Sequence, residues 1–336
     1  MADIKTNKRI LVTDILGYIG SSFGSKLRNK SYEITGIVPV GCDPKKYADL
    51  VDTIKILPIA MTNIYSLKNH LNQNEYDIIV HIPKYHDRTS LSKKNFRVAN
   101  VHASEQFVEY CLKNDSRLIY CSSTEVFGNT PNELPTNDHT EKVSDTYRAK
   151  CILEIELIIE RNRLKGLRAV ILRPSVIYGE SSPGFSRIFI RSIKYRLIPN
   201  INNRIYIHFT NIKLLVNVLE KALTNEQCIG SNYNVADDEP LLIGEFIKYV
   251  STVLQVKGYS STKVRSLYAI KSIVSVLHFL KLFKYERNLE LICNNWFFDI
   301  MPMREDFRVV RFKTLPAFSV AINSQYKKKK SVNEKS

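Results

Sequence analysis

An apolar run of strand length, Ile10-Leu11-Val12, opens into a turn that holds Gly17 and Gly20, and a helical pattern through Phe23 and Leu27 follows. No other stretch constrains the chain as much. It sets a helix N-terminus at the end of a buried strand. The first N–H groups of a helix lack a carbonyl four residues back, and the helix dipole adds positive character there. Strand, glycine turn and helix together form the layout that receives a pyrophosphate. Gly17 would let the backbone approach phosphate, and Gly20 would let the helix pack on the strand. The usual fingerprint begins with a further glycine, and Asp14 stands there instead. Asp tolerates unusual backbone angles but brings negative charge beside the phosphates. An ordinary strand-to-helix turn fits this segment alone equally well.

The alternation continues downstream. Tyr32 to Val40 and Val51 to Leu57 read as strands, with a helix over Ile64 to Leu71. Asp77 to Ile82 and Arg117 to Ser122 are continuous apolar runs, suited to strands buried on both faces. A helical pattern from Asn95 to Leu112 separates them. The polar stretch to Asp145 reads as a loop, Thr146 to Arg163 as a long helix and Gly166 to Leu172 as another strand. Strands alternating with helices predict an α/β fold with a doubly wound, mostly parallel sheet. Leu267 to Tyr285 carries a polar stripe at Lys271, Ser275, His278 and Lys281 and reads as an amphipathic helix capping a second domain, with a membrane-surface role as the alternative.

The net charge of +16 fits attraction to an anionic small molecule. No nucleic-acid module accompanies it. No apolar stretch reaches the length of a membrane span, and the N-terminus, with Asp3, Lys5, Lys8 and Arg9, has no apolar signal core. The six cysteines include no CxxC pair, which predicts a reducing, cytoplasmic setting and no zinc site.

Several separated segments resemble one family, the extended short-chain dehydrogenase/reductases, in their NAD-dependent epimerase/dehydratase branch. Thr13-Asp-Ile-Leu-Gly-Tyr-Ile-Gly20 is similar to that family's TGxxGxxG, and Asn100-Val-His-Ala-Ser104 to its NVxGT. Ser122-Ser-Thr-Glu-Val-Phe-Gly128 resembles SSxxVYG, and Leu172-Arg-Pro-Ser-Val-Ile-Tyr-Gly179 resembles LRPxxVYG. Arg204-Ile-Tyr-Ile-His208 is similar to RDFxH, and Tyr233-Asn-Val-Ala-Asp237 to YNVG[DS]. The resemblance covers roughly residues 8 to 320 through the order and spacing of these segments. It implies an NAD(P)-binding Rossmann domain over 1–174, a mainly substrate-binding domain over 175–320 with segments returning to the Rossmann core, and a basic, disordered tail over 321–336.

The implied activity is hydride transfer at a carbon of a nucleotide-linked sugar, as an epimerase, dehydratase or ketoreductase in polysaccharide precursor synthesis, with a homodimer as the assembly. A non-catalytic relative that binds a nucleotide or a partner protein is the alternative. The cofactor is NAD or NADP. Pro39-Val40-Gly41 stands where an acid usually holds the ribose hydroxyls. Asp43 is a late substitute, and Lys45 and Lys46 suit a 2′-phosphate. The implied cofactor residues are Thr13, Gly17, Tyr18, Ile19, Gly20, Asp43, His81, Asn100, Tyr147, Lys150 and Pro174. His81 and His208 read as packed histidines rather than metal ligands.

In the family a Tyr takes the sugar hydroxyl's proton, and a Lys four residues later favours its phenolate. Here Tyr147 and Lys150 are three apart, and Lys150 with Glu154 also matches KxxxE, which puts Thr146 in the tyrosine's place. The expectation is that Tyr147 is the acid/base, because a threonine hydroxyl is too weak an acid. Ser123 aligns with the family's Ser/Thr. Glu125 is a candidate base for a ring proton. Thr124 and Arg204 are the substrate-binding candidates, with the Arg204 guanidinium on the nucleotide phosphates.

Overall fold

The computed structural model describes residues 7–43, 45, 48–83, 92–128, 131–183, 185–196, 204–256 and 294–333. The chain runs through β1 (Lys8–Val12), α1 (Tyr18–Leu27), β2 (Tyr32–Val38), β3 (Ile54–Pro58), α2 (Ile64–Gln73) and β4 (Ile78–His81). Next come α3 (Lys93–Arg97), a π-helical turn over Val98–His102, α4 (Ala103–Asn114), β5 (Arg117–Cys121) and a 3-10 helix over Thr124–Phe127. Then follow α5 (Tyr147–Arg163), β6 (Ala169–Pro174), β7 (Val176–Tyr178), α6 (Phe185–Lys194), β8 (Tyr206–Ile207) and β9 (Phe209–Asn211). The later elements are α7 (Ile212–Ala222), β10 (Asn232–Val235), β11 (Leu241–Leu242), α8 (Ile243–Val253), α9 (Met301–Phe307) and α10 (Thr314–Asn333).

Seven strands form one sheet in the order β10-β6-β5-β4-β1-β2-β3, every pairing parallel. The order reverses between β1 and β4, and a crevice opens beyond the carboxyl ends of strands at such a reversal. Neighbouring residues of a strand point to opposite faces. Ile10, Val12, Ile78, Val80 and Ile119 therefore meet Phe23 and Leu27 of α1 and Leu215 and Leu219 of α7. Leu11, Ile79, Leu118 and Tyr120 meet Leu67 of α2, Phe107 of α4 and Ile155 and Ile159 of α5. Burial on both faces is why these strands read as unbroken apolar runs.

A third cluster joins Phe189, Phe209, Phe246, Trp296 and Phe318 from the later elements with Val126 and Phe127 of the 3-10 helix. The small sheets β7–β9 and β8–β11 belong to this side, while β10 returns to pair with β6. The segment from 321, expected as a disordered tail, is helical as far as Asn333 because α10 continues through it. The amphipathic segment Leu267 to Tyr285 lies outside the described residues. Among the described residues no helix is long and apolar enough to cross a membrane.

Candidate active site

The glycine turn sits at the carboxyl end of β1. Gly17 caps α1 with an extended backbone, φ −68° and ψ 167°, which any residue adopts. The place a Cβ would take there is occupied by the Asp14 carboxyl group. At Gly20 a Cβ would meet the Asp14 carbonyl and Ile15 Cα, so α1 packs directly on the turn. Asp14 itself has φ +48°, the left-handed region that favours glycine and that Asp tolerates. Tyr18 and Ile19 supply the first helical N–H groups. The Tyr18 hydroxyl is buried against Gly179 and makes no hydrogen bond among the described residues. Burial, with Glu180 nearby, pushes its pKa up and keeps it a donor.

The side chains of Thr13 and His81, both named among the implied cofactor residues, are buried. Thr13 Oγ1 donates to the Ile82 carbonyl (3.0 Å), accepts from the Ile82 N–H (2.7 Å) and lies 3.1 Å from His81 Nδ1. The His81 ring is stacked against Tyr120 and tilted on Phe107, with Nε2 2.8 Å from Ser104 Oγ. Both are therefore interior links tying β1 to β4 and α4. Asp43 stands exposed beyond β2, its Oδ1 accepting from the Lys45 N–H at 3.0 Å, while Lys46 lies outside the described residues. Pro174 is the buried last residue of β6.

Asn100 lies in the π-helical turn. An extra residue per turn of this kind occurs often at functional sites. Its Nδ2 donates to the Phe96 carbonyl (2.9 Å), and its Oδ1 is buried with no partner among the described residues.

The helix register decides the catalytic candidates. Thr146 is the N-cap of α5, its Oγ1 accepting from the Ala149 N–H at 3.0 Å, and the helix proper starts at Tyr147. One residue turns a helix by about 100°. Tyr147 consequently shares a face with Cys151 and Glu154, and that face meets α3, where Glu154 pairs with Arg97. The Tyr147 hydroxyl donates to the Lys93 carbonyl (2.9 Å), its ring lies 6.1 Å from Phe96, and Lys93 Nζ sits 5.5 Å above it. The structure does not bring Tyr147 together with Ser123. Thr146, not Tyr147, stands four residues before Lys150 on one helical face. Lys150 is exposed and forms no ion pair among the described residues.

Ser123 caps the 3-10 helix, its Oγ accepting from the Glu125 N–H at 3.2 Å, and Thr124 follows half-buried. Glu125 is held by the Arg148 guanidinium in a two-pronged ion pair, with Nε donating to Oε2 at 2.8 Å. That pair fastens the Ser123 helix to the first turn of α5. It also occupies the carboxylate expected to abstract a ring proton. Arg204 is exposed just before the buried Ile205, where the third cluster begins.

Beneath these residues lies a buried charged frame. Arg173, fully buried, donates to Glu156 through Nε and Nη2 (2.8 Å each) and to Asp138 through Nη1 (2.6 Å). Ser122 Oγ donates to the same Glu156 at 2.5 Å. The signal was present as Arg173 in the LRP segment and a lone Glu156 among the apolar positions of α5.

The buried histidines carry a pH dependence. Burial pushes His81 down to about 3 and His208 down to about 4, from an ordinary 6.5. Below pH 6.5 the unfolded chain takes up protons that the folded chain refuses, so their stabilisation is full above 6.5 and is lost as pH falls through 4. The His208 shift alone amounts to roughly 3 kcal/mol at about 1.4 kcal/mol per unit. Asp237 opposes it: burial pushes its carboxyl up to about 6, against hydrogen bonds from Tyr178, Thr314 and the Asn211 N–H. The two histidines outweigh that one carboxyl. Urea midpoints should therefore drop between about pH 7 and about pH 5, and His208→Asn should flatten the slope; an unchanged slope in the variant removes His208 as a source.

Sheet order, crevice and glycine turn define a Rossmann-type class of nucleotide-dependent enzyme. Residues 10–207 match the family model described as NAD dependent epimerase/dehydratase family, and the chain belongs to that family, a class of NAD-dependent oxidoreductases and isomerases. No curated protein matches the sequence significantly. Among solved structures, UDP-glucose 4-epimerase of Thermotoga maritima with UDP-glucose is 13% identical, with 96% of this chain and 99% of that one covered and a TM-score of 0.73. The dTDP-glucose 4,6-dehydratase of Bacillus anthracis in complex with NAD is 14% identical, with coverages of 96% and 97% and a TM-score of 0.71. The terminal R domain of the myxalamid biosynthetic pathway is also 14% identical, with coverages of 96% and 91% and a TM-score of 0.74. At these identities the likeness is one of fold.

The residues present fit a dinucleotide in their backbone: Gly17 and Gly20 would form the cradle, and the Tyr18 hydroxyl and Asn100 Oδ1 are buried polar atoms facing no protein partner among the described residues. The side chain of Asp14 stands in that cradle.

Proposed function

We propose that the protein is a cytoplasmic NAD(P)-dependent ketoreductase acting on a nucleotide-linked keto sugar, in the synthesis of polysaccharide precursors. The observation that carries this reading is the state of two hydroxyls. Ser123 Oγ and Thr146 Oγ1 each accept a hydrogen bond from the N–H of the helix they cap, at 3.2 and 3.0 Å. With a lone pair already engaged, each hydroxyl has its proton to donate. Such donors stabilise a carbonyl oxygen as it gains negative charge on hydride transfer.

Gly17, Tyr18, Ile19, Gly20 and Asn100 would hold the cofactor, with Lys150 on its ribose. When bound in reduced form, the nicotinamide supplies the hydride. Ser123 and Thr146 hold the reacting oxygen, and the Lys150 ammonium stabilises the alkoxide. The proton passes from Lys150 through the Thr146 hydroxyl to that oxygen, and solvent at the exposed Lys150 replaces it. Glu125, paired with Arg148, keeps the first turn of α5 in register and takes no proton from the sugar ring. That speaks against dehydration. Arg204 binds the nucleotide's phosphates. Arg204→Ala should weaken binding of UDP or dTDP by roughly ten- to a hundredfold and leave dinucleotide affinity unchanged; equal losses in both would remove it from the substrate site.

The test is titration with NAD+, NADH, NADP+ and NADPH, followed by UDP- and dTDP-linked 4-keto sugars with each reduced cofactor. Substrate-dependent loss of reduced nicotinamide supports the reading. Binding of both ligands without turnover supports a non-catalytic nucleotide-binding relative, which the Tyr147 hydroxyl bonded to Lys93 favours.

A further inference from the structure

We infer that the Asp14 carboxylate is a built-in competitor for the pyrophosphate cradle, so that dinucleotide binds only when this side chain is displaced. The inference rests on the dinucleotide reading above. It follows from what lies beside Gly17. The backbone there is extended and places no demand for glycine, and the place a Cβ would take is filled by the Asp14 carboxyl group. The three atoms nearest to such a Cβ all belong to Asp14: carboxyl oxygen Oδ2, carboxyl carbon and main-chain oxygen. In a strand–turn–helix site this is the face across which the backbone approaches phosphate. The space opened by removing one side chain is taken by another.

The occupant matches the site in charge. Helix α1 has ten residues, no side-chain cap and no acidic residue in its first turn. A carboxylate lying over its N-cap residue supplies the anion that the first-turn N–H groups and helix dipole favour. A diphosphate offers the same helix end the same kind of interaction. The Asp14 carboxylate and a diphosphate cannot both remain beside that helix end without like-charge repulsion. Asp14 is half-buried at φ +48°, so the backbone already has the angle at which glycine is unstrained. Asp14→Gly therefore empties the cradle without asking the turn to move. Asp14→Asn keeps the shape and removes the charge, separating occupancy from repulsion.

The experiment is calorimetric titration of parent, Asp14→Gly and Asp14→Asn with the four nicotinamide dinucleotides and with ADP-ribose, each protein checked for its fold by circular dichroism. The expected result is at least tenfold tighter binding by Asp14→Gly, with Asp14→Asn between it and the parent. A second readout needs no nicotinamide: the thermal shift produced by saturating ADP-ribose should be larger for Asp14→Gly, while its ligand-free melting temperature should fall because α1 loses its resident anion. Equal or weaker dinucleotide binding by folded Asp14→Gly overturns the inference and leaves the dinucleotide reading standing if the parent binds. Absence of saturable binding by both folded proteins overturns both readings.

Discussion

Thr146→Val should lower turnover of a keto sugar by roughly a hundredfold or more, the usual loss when one donor to a developing oxyanion is removed, while Tyr147→Phe should stay close to the parent. The contrast follows from one residue of helix register. The Tyr147 hydroxyl is bonded to the Lys93 carbonyl on the α3 face, and its loss forfeits one exposed hydrogen bond. The Thr146 hydroxyl stands at the N-cap with its proton to give and Lys150 four residues on. Thr146→Val also removes the cap, at a cost of about 1 kcal/mol. Thr146→Ser is the control, since it keeps both cap and hydroxyl and should preserve most of the rate. Steady-state kinetics on the three variants, with melting temperatures alongside, decide the matter. An inactive Tyr147→Phe with a parental melting temperature would restore Tyr147 as the acid/base and sink the assignment of Thr146.

Glu156→Leu should be among the most destabilising single substitutions in the protein, by about 3–5 kcal/mol, because it leaves the Arg173 guanidinium buried without its main counter-charge. Asp138 remains on Nη1, but its side chain is 42% exposed and its charge is shared with water. Replacing both partners, Glu156→Leu with Arg173→Leu, removes the uncompensated charge and should recover much of the loss. Equilibrium denaturation of the single and double variants measures this coupling. The site should feel the change as well. Ser122 Oγ loses its acceptor, and Ser122 immediately precedes Ser123. A milder Glu156→Gln that folds yet turns over substrate more slowly would show the network positioning Ser123. Additive losses in the double variant would show instead that the two residues act separately.

The strands and helices read between Ile10 and Leu172 followed from local pattern. The apolar runs at Ile10, Asp77 and Arg117 are the strands β1, β4 and β5, and the helix over Thr146 to Arg163 is α5 to within one residue. That one residue mattered more than any other. A cap and a first helical residue look alike in a sequence, and telling them apart depends on which hydroxyl accepts from the Ala149 N–H. The π-helical turn inside the Asn95 to Leu112 pattern was equally hidden, since its extra residue leaves the apolar positions only slightly displaced.

By itself the sequence determined the class of fold, the place of the glycine turn and the family, because burial on two faces, helical periodicity and turn chemistry act over a few residues at a time. Tertiary structure alone decided which side chains meet. It turned Thr13 and His81 into interior links, tied Glu125 to Arg148, sent the Tyr147 hydroxyl to Lys93 and laid the Asp14 carboxylate over Gly17. These outcomes depend on partners far apart in the chain or on a rotation of about 100° per residue, and residue spacing carries neither.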